Sequence, residues 1–142
     1  MSPQPFPHLL PAEGVLWYRF LVAHGAEWDR FEYDVRLGEG RPTEAHHPDY
    51  IKAMNARLSK KRLDAVGYKG AFPTIFEVTP KGARTLVGAL ELYSALWIRT
   101  FPDTPPPRRA AVVGSIDPDV LTYLRSKGDL VYVVGEPDTA PA

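Results

Sequence analysis

Two apolar runs in the middle of the chain, separated by a glycine turn, predict a β-hairpin. The runs read RLDAVGY and FPTIFEVT, and each sets one carboxylate, Asp64 or Glu77, among apolar residues. Side chains alternate along a strand, so Ile75, Glu77 and Thr79 are predicted to share a face. We expect a connection of residues 69 to 72, which puts Asp64 opposite Glu77 on that face.

The pattern before the hairpin predicts two helices and a strand. Helical spacing of apolar residues predicts an amphipathic helix from Ala12 to about Ala23. The alternation in FEYDVRL predicts a strand at residues 31 to 37 with one face towards the core. A helix is predicted from Asp49 to about Lys60, since Pro48 suits a helix start.

The pattern after the hairpin predicts a long apolar helix and a strand-helix-strand unit. The segment from Gly82 to Arg99 is apolar over most of its circumference, so we expect burial on more than one side. Buried parallel strands are predicted at residues 110 to 114 and 130 to 134, with a helix that begins at Asp117-Pro118 between them. The chain is therefore predicted to be an α/β domain with a mixed sheet flanked by helices, in the order α-β-α-β-β-α-β-α-β.

Proline marks both ends of the chain. Residues 1 to 10 are predicted to form an extended, proline-rich arm, residues 11 to 135 a single domain, and residues 136 to 142 a polar tail. Restricted arms of this kind suit docking on a neighbouring subunit.

Charge and cysteine content exclude several classes of function. Lys plus Arg and Asp plus Glu both number 17, so no overall basic field attracts nucleic acid. The chain has no Cys, which excludes disulfides, thiolate catalysis and Cys-based zinc sites. No segment has the pattern of a signal peptide or a membrane span, so we expect a protein of a virion or the cytoplasm that is not secreted through a signal peptide.

The carboxylates of the hairpin predict a metal site. Two carboxylates that face each other among apolar residues are costly to bury unless a positive group lies between them. A divalent cation is the usual solution, and Asp64 and Glu77 both supply oxygen ligands. The histidines at positions 46 and 47 are adjacent in a polar loop and lack the helical spacing of a metal site.

The hairpin, with Asp64, then Glu77 and a helix directly after it, resembles the PD-(D/E)XK nuclease superfamily. The signature of that superfamily is an Asp, a variable gap, and Glu-x-Lys on the next strand. The resemblance covers roughly residues 11 to 135 and implies a restriction-endonuclease-like fold. It also implies that Asp64 and Glu77 hold Mg²⁺, and that Glu13 on the first helix is a candidate third ligand. The alternative for Glu13 is a helix-start carboxylate favoured by the helix dipole.

Two positions depart from the pattern of active relatives. The residue two positions after Glu77 is Thr79, which supplies neither the cation nor a base at neutral pH. Lys81 is a candidate migrated lysine, although Pro80 is expected to end the strand and Lys81 to start the next helix. Active relatives commonly carry a Gln in that helix, and here Ala89 follows Gly88.

One dense basic cluster precedes the hairpin and is a candidate contact for DNA phosphates, made of Arg57, Lys60, Lys61 and Arg62. Cations at a helix C-terminus are the alternative explanation for this cluster.

Three functions remain open on these residues. The first is a catalytically degenerate nuclease-like protein that acts as a structural or adaptor component of an assembly, homo-oligomeric ring or hetero-complex, similar to small bacteriophage proteins of the virion head, neck and tail. The second is a Mg²⁺-dependent endonuclease with Asp64, Glu77 and Lys81 as catalytic residues. The third is an unrelated α/β binding domain in which Asp64 and Glu77 are salt-bridged to Arg62 or Lys81.

Overall fold

The computed structural model describes residue 6, residues 9 to 38 and residues 61 to 135. Within these residues the helices are α1 (Pro11–His24), α2 (Arg84–Thr100) and α3 (Pro118–Ser126), and a short 3-10 turn follows α1 at Gly25–Glu27. The strands are β1 (Arg30–Leu37), β2 (Lys61–Lys69), β3 (Phe72–Gly82), β4 (Arg108–Ile116) and β5 (Leu130–Val133).

The five strands form one mixed sheet in sequence order, β1-β2-β3-β4-β5. Strands β1, β2 and β3 are antiparallel, whereas β3, β4 and β5 are parallel. The predicted mixed α/β architecture is therefore confirmed. The element order differs in detail, because the described residues follow the order α-β-β-β-α-β-α-β and the helix predicted at residues 49 to 60 lies outside them.

The helices lie on both faces of the sheet. Helix α1 packs Leu16, Trp17 and Phe20 against one face, where Phe76 and Val78 of β3 are buried. Helices α2 and α3 cover the other face. There Leu86 and Leu90 contact β4 and α3, and Trp97 packs on the hairpin. The sheet is therefore the middle of three layers.

The α1 side is filled with aromatic rings. Trp17 stacks on Phe20 with centroids 4.9 Å apart, and Trp28 meets Phe76 edge to face at 5.2 Å. Gly67 of β2 makes room for these rings, because a Cβ there would lie 2.8 Å from Trp28 Cδ1 and 2.9 Å from Phe31 Cε1.

Strand β1 changes face at Asp34, which corrects the prediction of one core-facing side. Phe31 and Leu37 are an even number of residues apart, so they would share one face of a regular strand. Instead, Phe31 contacts the aromatic core under α1, whereas Leu37 is buried on the α2 side. Asp34 has a φ of +56°, in the left-handed region. In β2, Leu63 and Ala65 are buried in cores on opposite sides of the sheet in the same way, so the change of face there falls at Asp64.

Strand β3 runs past Pro80, so the prediction that Lys81 starts the next helix is wrong. Lys81 pairs with Ser115 and Gly82 with Ile116 in the parallel ladder to β4. Proline has no backbone N–H, so a strand tolerates it where that nitrogen is not needed for a hydrogen bond to a neighbouring strand. The backbone oxygen of Gly82 then accepts the N–H of Asp117, which ties the end of β3 to the start of α3.

Helix α2 is covered on one side in the isolated chain, and the expected cover on a second side, by another helix or by a second protein, stays a prediction. Its buried residues are Leu86, Leu90 and Trp97, whereas Leu92 and Ile98 are about half exposed. Within the described part of the chain, one face of this helix is covered and the opposite face is open to solvent.

The segment before α1 lies partly on the domain. Leu9 is 5% exposed in the aromatic core, and the Phe6 ring lies 5.6 Å from that of Tyr33. The division of the chain into an arm, a domain and a tail stays a prediction, since residues 1 to 5 and 136 to 142 lie outside the described residues.

The strand-helix-strand unit after the long helix is confirmed. The Asp117 side chain caps α3 by accepting the backbone N–H groups of Asp119 and Val120, at 2.8 and 3.2 Å. Gly128, with a φ of +79°, follows the helix end, and β5 then pairs in parallel with β4.

Candidate functional site

The hairpin register makes Asp64 and Glu77 the next facing positions after the last pair of its ladder. Lys69 pairs with Phe72, however, so the connection is Gly70 and Ala71, and the expected four-residue connection of residues 69 to 72 is wrong. Ala65 pairs with Phe76, and the pairing continues residue by residue to Lys69 and Phe72 around the turn at Gly70. One step beyond Ala65 the regular ladder ends, and the Asp64 side chain itself accepts the backbone N–H of Val78 at 2.9 Å. The two carboxylates therefore occupy facing positions where the regular pairing stops.

Glu77 lies on the α2 side of the sheet. Its neighbours Phe76 and Val78 are both buried against α1, and alternation directs Glu77 the other way. Tyr93 of α2 lies on that side, and its phenol pKa is raised by burial and by the charges of Glu77 and Asp64. The acidic pair is thus bounded by a tyrosine from the covering helix.

Burial and mutual repulsion make both carboxyl groups weak acids. Burial raises the pKa of Asp64 to about 6, although the Val78 N–H lowers it, the Glu13 charge raises it and Arg62 lowers it. Burial raises the pKa of Glu77 to about 9, and the charges of Asp64 and Glu13 add to the shift. No ion pair joins Glu77 to a cation among the described residues.

Glu13 lies near the pair but has a helix-capping contact of its own. Its Oε1 accepts the backbone N–H of Leu10 at 3.1 Å, at the start of α1. Its charge nevertheless raises the pKa values of both Asp64 and Glu77. The geometry therefore supports the helix-start interpretation of Glu13, and its role as a third metal ligand stays a prediction.

The donor set is suited to a hard divalent cation. Mg²⁺ takes oxygen ligands and is commonly held by one or two carboxylates, with water or phosphate oxygens in the remaining positions. Asp64 and Glu77 provide two such carboxylates at one place. Within residues 9 to 38 and 61 to 135, however, no three His, Asp or Glu side chains converge closely enough to enclose an ion. A Mg²⁺ ion held by this pair would therefore keep much of its water.

Among the described residues, neither the lysine of the nuclease motif nor the polar residue expected on the following helix lies beside Asp64 and Glu77. Thr79 shares the strand face of Glu77, and it offers only a hydroxyl. Lys81 lies two residues further along β3 and is exposed. On α2, Gly88 is exposed with nothing within 4 Å of a Cβ placed on it, and Ala89 has no polar group.

Only part of the predicted basic cluster can be located. Arg62 is exposed in β2, with its Nη1 3.4 Å from Asp34 Oδ1. Lys61 begins β2, while Arg57 and Lys60 lie outside the described residues, as do the histidines at positions 46 and 47. The Arg62 charge lowers the pKa of Asp64, and the alternative in which Arg62 forms a salt bridge with Asp64 stays a prediction.

Sequence reasoning missed two residues near the pair. Tyr93 lies on the sheet-facing stripe of α2 with Leu86, Leu90 and Trp97, a spacing of 4, 3 and 4 residues that identifies a common face. Asp34 interrupts an alternating strand, and Asp is one of the few residues that tolerate a left-handed φ. Both signals are present in the sequence, but neither fixes a position relative to Asp64.

Comparison with known proteins locates the fold but not a family. No protein-family model matches the chain, and no curated protein sequence matches it. Among solved structures the chain is similar to a repair endonuclease from Pyrococcus abyssi, with a TM-score of 0.51 and 14% sequence identity over 91% of this chain and 49% of that one. The chain thus spans about half the length of that endonuclease. At this identity the likeness shows the fold alone, which is nuclease-like. Within the described residues, no helix combines the length and apolar character needed to cross a membrane.

Proposed function

We propose that this protein is a nuclease-fold protein that binds a divalent cation but does not cleave nucleic acid, and that it serves as a structural or adaptor component of a larger assembly. The supporting observation is that the site has the acidic residues of the nuclease motif but not its lysine. The acidic residues Asp64 and Glu77 face each other across the hairpin, whereas the position of the catalytic cation holds Thr79. Lys81, the nearest lysine on β3, is exposed beyond it.

The cation matters because hydrolysis of a phosphodiester needs an activated water and stabilisation of negative charge in the transition state. A metal held by two carboxylates supplies part of that stabilisation. Without a cation that orients the water, we expect binding without efficient turnover. A bacteriophage virion, at the head, neck or tail, is the setting that we propose for such a component.

The assembly part of the proposal is supported by apolar surface on α1. Val15, Tyr18 and Val22 follow one another at helical spacing on the outer face of this helix and are 40, 61 and 72% exposed. Leu10, just before the helix, is 67% exposed. Contiguous exposed apolar residues of this kind mark contact surfaces for other proteins.

A Mg²⁺-dependent endonuclease is the second candidate, and the acidic pair is the observation that favours it. Burial of two facing carboxylates is costly, and a bound divalent cation offsets that cost. In this case Asp64 and Glu77 would hold the ion, and the chemistry it would supply is polarisation of the phosphate and a more acidic bound water. Tyr93, beside the pair, would help to exclude bulk water.

One assay separates the two candidates. Labelled single-stranded and duplex DNA are incubated with the protein in Mg²⁺ or Mn²⁺, with Asp64→Ala as the matched control, and products are resolved by denaturing electrophoresis. The proposal predicts no cleavage by either protein. Divalent-dependent cleavage that disappears in Asp64→Ala would overturn it in favour of the endonuclease.

The assembly is tested on the full chain by native mass spectrometry and light scattering. We expect subunit association that is weakened by Tyr18→Glu and Val22→Glu in α1, since both side chains are already open to solvent in the isolated chain. A monomer at all concentrations, with the same behaviour in both variants, would contradict self-association.

A further inference from the structure

The tip of the β2–β3 hairpin, residues 69 to 72, presents an aromatic side chain to solvent. Phe72 is 65% exposed, whereas Phe76 on the same strand is fully buried. Gly70 and Ala71 in the turn are exposed as well. Removal of apolar surface from water is favourable, so an exposed phenyl ring on a turn is available for contact with another apolar surface.

Two contacts fix the shape of this hairpin tip. The Gly70 backbone N–H donates to Asp29 Oδ2 at 2.6 Å, and the φ of Gly70 is +60°, which glycine adopts readily. The Lys69 ammonium lies 4.8 Å from the centroid of the Trp28 ring, within the range of a cation–π contact. A group that is already ordered loses little conformational entropy on binding, and buried aromatic side chains are common anchors of protein interfaces. Phe72 therefore has the properties of such an anchor.

An apolar groove lies between α2 and α3. We call it the α2–α3 groove, and it is lined by Arg84, Val87, Asp119, Val120 and Tyr123. Its volume is about 300 Å³, and a cavity of about 150 Å³ is large enough to hold a benzene ring. Beside the groove, the Tyr123 hydroxyl donates to Glu91 Oε1 at 3.0 Å, which links the two helices. The groove therefore has room for one aromatic side chain.

The hairpin tip and the α2–α3 groove lie at opposite ends of β3. Phe72 is the first residue of this strand and Gly82 the last, and α2 begins at Arg84. The strand has 11 residues, and at about 3.3 Å per residue its ends lie about 33 Å apart. Phe72 therefore cannot fill the groove of its own chain. Complementary surfaces at opposite ends of one subunit favour head-to-tail association between copies.

The charges beside the two surfaces are complementary. Lys69 and Asp29 place one cation and one carboxylate at the hairpin tip. Arg84 and Asp119, exposed in the first turns of α2 and α3, place one charge of each sign at the groove. A second copy therefore offers Lys69 to Asp119 and Asp29 to Arg84, a pairing that fixes the orientation of an interface. A nucleic acid would instead bring negative charge towards Asp119.

We propose that the hairpin tip of one copy of this chain docks in the α2–α3 groove of a second copy, with the Phe72 ring packed on the apolar side chains that line it. Each subunit offers its tip to one neighbour and its groove to another. Repeated contacts of this heterologous type form a closed ring or an open filament, according to the rotation between subunits. The contact goes beyond the proposed function, since it uses neither the outer face of α1 nor the acidic pair.

The test divides the contact between two variants and measures association by native mass spectrometry of the full chain. Every protein carries Tyr18→Glu and Val22→Glu, so that the outer face of α1 does not contribute, and the chain with these two changes alone is the reference. Phe72→Ala removes the inserted ring, and Val87→Trp fills the groove. Each is expected to raise the Kd for association of the reference chain by about 30-fold, the effect of losing one aromatic anchor.

Mixing the two variants should restore one contact per pair. The Phe72→Ala chain keeps its groove and the Val87→Trp chain keeps its ring, so we expect a one-to-one heterodimer and no larger species. The Kd of this heterodimer should lie within about twofold of the value for the reference chain. The two chains differ in mass, so the heterodimer is distinguished from either homodimer.

Leu92→Trp is the matched control on α2. Leu92 is 46% exposed and lies outside the set of residues that line the groove. The substitution adds the same indole ring to the same helix, and the Kd for association should change by less than about twofold. If Val87→Trp melts below the assay temperature, Val87→Phe, which adds a smaller ring, takes its place.

Four outcomes would overturn the inference: a reference chain that stays monomeric, full association of Phe72→Ala, a mixture of the two variants that stays monomeric, or an equal loss in Leu92→Trp. A monomeric reference chain would assign the groove to a different ligand.

The reference chain keeps this result separate from the proposed function. If the chain with Tyr18 and Val22 intact associates and the reference chain does not, the α1 surface is retained and the tip-to-groove contact is rejected. If the reference chain associates as tightly as the intact chain, the tip-to-groove contact is supported and the α1 surface is rejected.

Discussion

The two halves of the β2–β3 hairpin differ in their strand pairing and in the residues that they bury. From the turn at Gly70 to Ala65 and Phe76, the strands pair at every position and pack aromatic rings on the α1 side. Beyond Ala65 the regular pairing stops, a side chain replaces a ladder bond, and charged groups occupy facing positions at Asp64 and Glu77. The first half satisfies the ordinary requirements of a stable sheet, and the second departs from them at several positions together.

Such a departure is informative because folding alone does not favour it. Natural sequences are locally consistent with their folds, and the places where they are not tend to be functional. The strained φ of Asp34 and the buried, mutually repelling carboxyls of Asp64 and Glu77 lie in the same part of the sheet. We interpret this half of the hairpin as the functional half.

The largest expected effect contrasts two neighbours on β3. Phe76→Ala removes a fully buried ring from the aromatic core and should lower the free energy of unfolding by about 3–5 kcal/mol. Glu77→Gln removes the cost of burying a carboxyl group. This substitution should raise the free energy of unfolding by about 1–3 kcal/mol at pH 8 in EDTA. Urea denaturation measures both. A destabilising Glu77→Gln in EDTA would mean that this carboxyl already has a favourable partner.

The pH dependence of the free energy of unfolding measures the contribution of Asp64 and Glu77. Both carboxyls have a higher pKa in the folded protein than in the unfolded chain, so the folded state holds protons that the unfolded state releases. Their contribution to stability is complete below about pH 4, and it is lost as the pH rises through about 6 for Asp64 and about 9 for Glu77.

In EDTA we therefore expect the free energy of unfolding to fall by about 2 kcal/mol or more between pH 5 and pH 9. The double variant Asp64→Asn, Glu77→Gln should flatten this dependence. An identical pH profile in the double variant would place the titrating groups elsewhere.

A smaller effect tests the packing of the regular half. Gly67→Ala places a methyl group within 3 Å of the Trp28 and Phe31 rings and should cost about 1–3 kcal/mol through overpacking. Gly88→Ala is the matched control on α2, where a Cβ meets nothing within 4 Å, and it should stabilise the helix by about 0.5–1 kcal/mol. Equal effects of the two substitutions would show that Gly67 is not tightly enclosed.

Most of the regular structure could be predicted from the sequence, because it follows from local patterns. Alternation in FPTIFEVT and the Gly70 turn fixed the hairpin register, and Asp117, Pro118 and Gly128 marked the ends of α3. The facing positions of Asp64 and Glu77 followed from that register alone. Each of these inferences depends on residues close together in the chain.

The features that the sequence did not reveal depend on distant residues. Strand β3 passes Pro80 because β4, some 34 positions further along, offers pairing at Lys81 and Gly82. The exposed face of α2 reflects which neighbours cover it, and an apolar pattern does not specify them. The position of Tyr93 beside the pair likewise required the packing of α2 on the sheet.

Titration calorimetry with Mn²⁺ at pH 7, in two buffers of different ionisation enthalpy, tests most directly whether Asp64 and Glu77 form a divalent-ion site. The folded protein should bind Mn²⁺ and release about one proton, because Glu77 is protonated before the ion binds. Glu77→Gln should bind more weakly without this proton release. Absence of binding by the unmodified protein, or the same affinity and proton release in Glu77→Gln, would contradict the account.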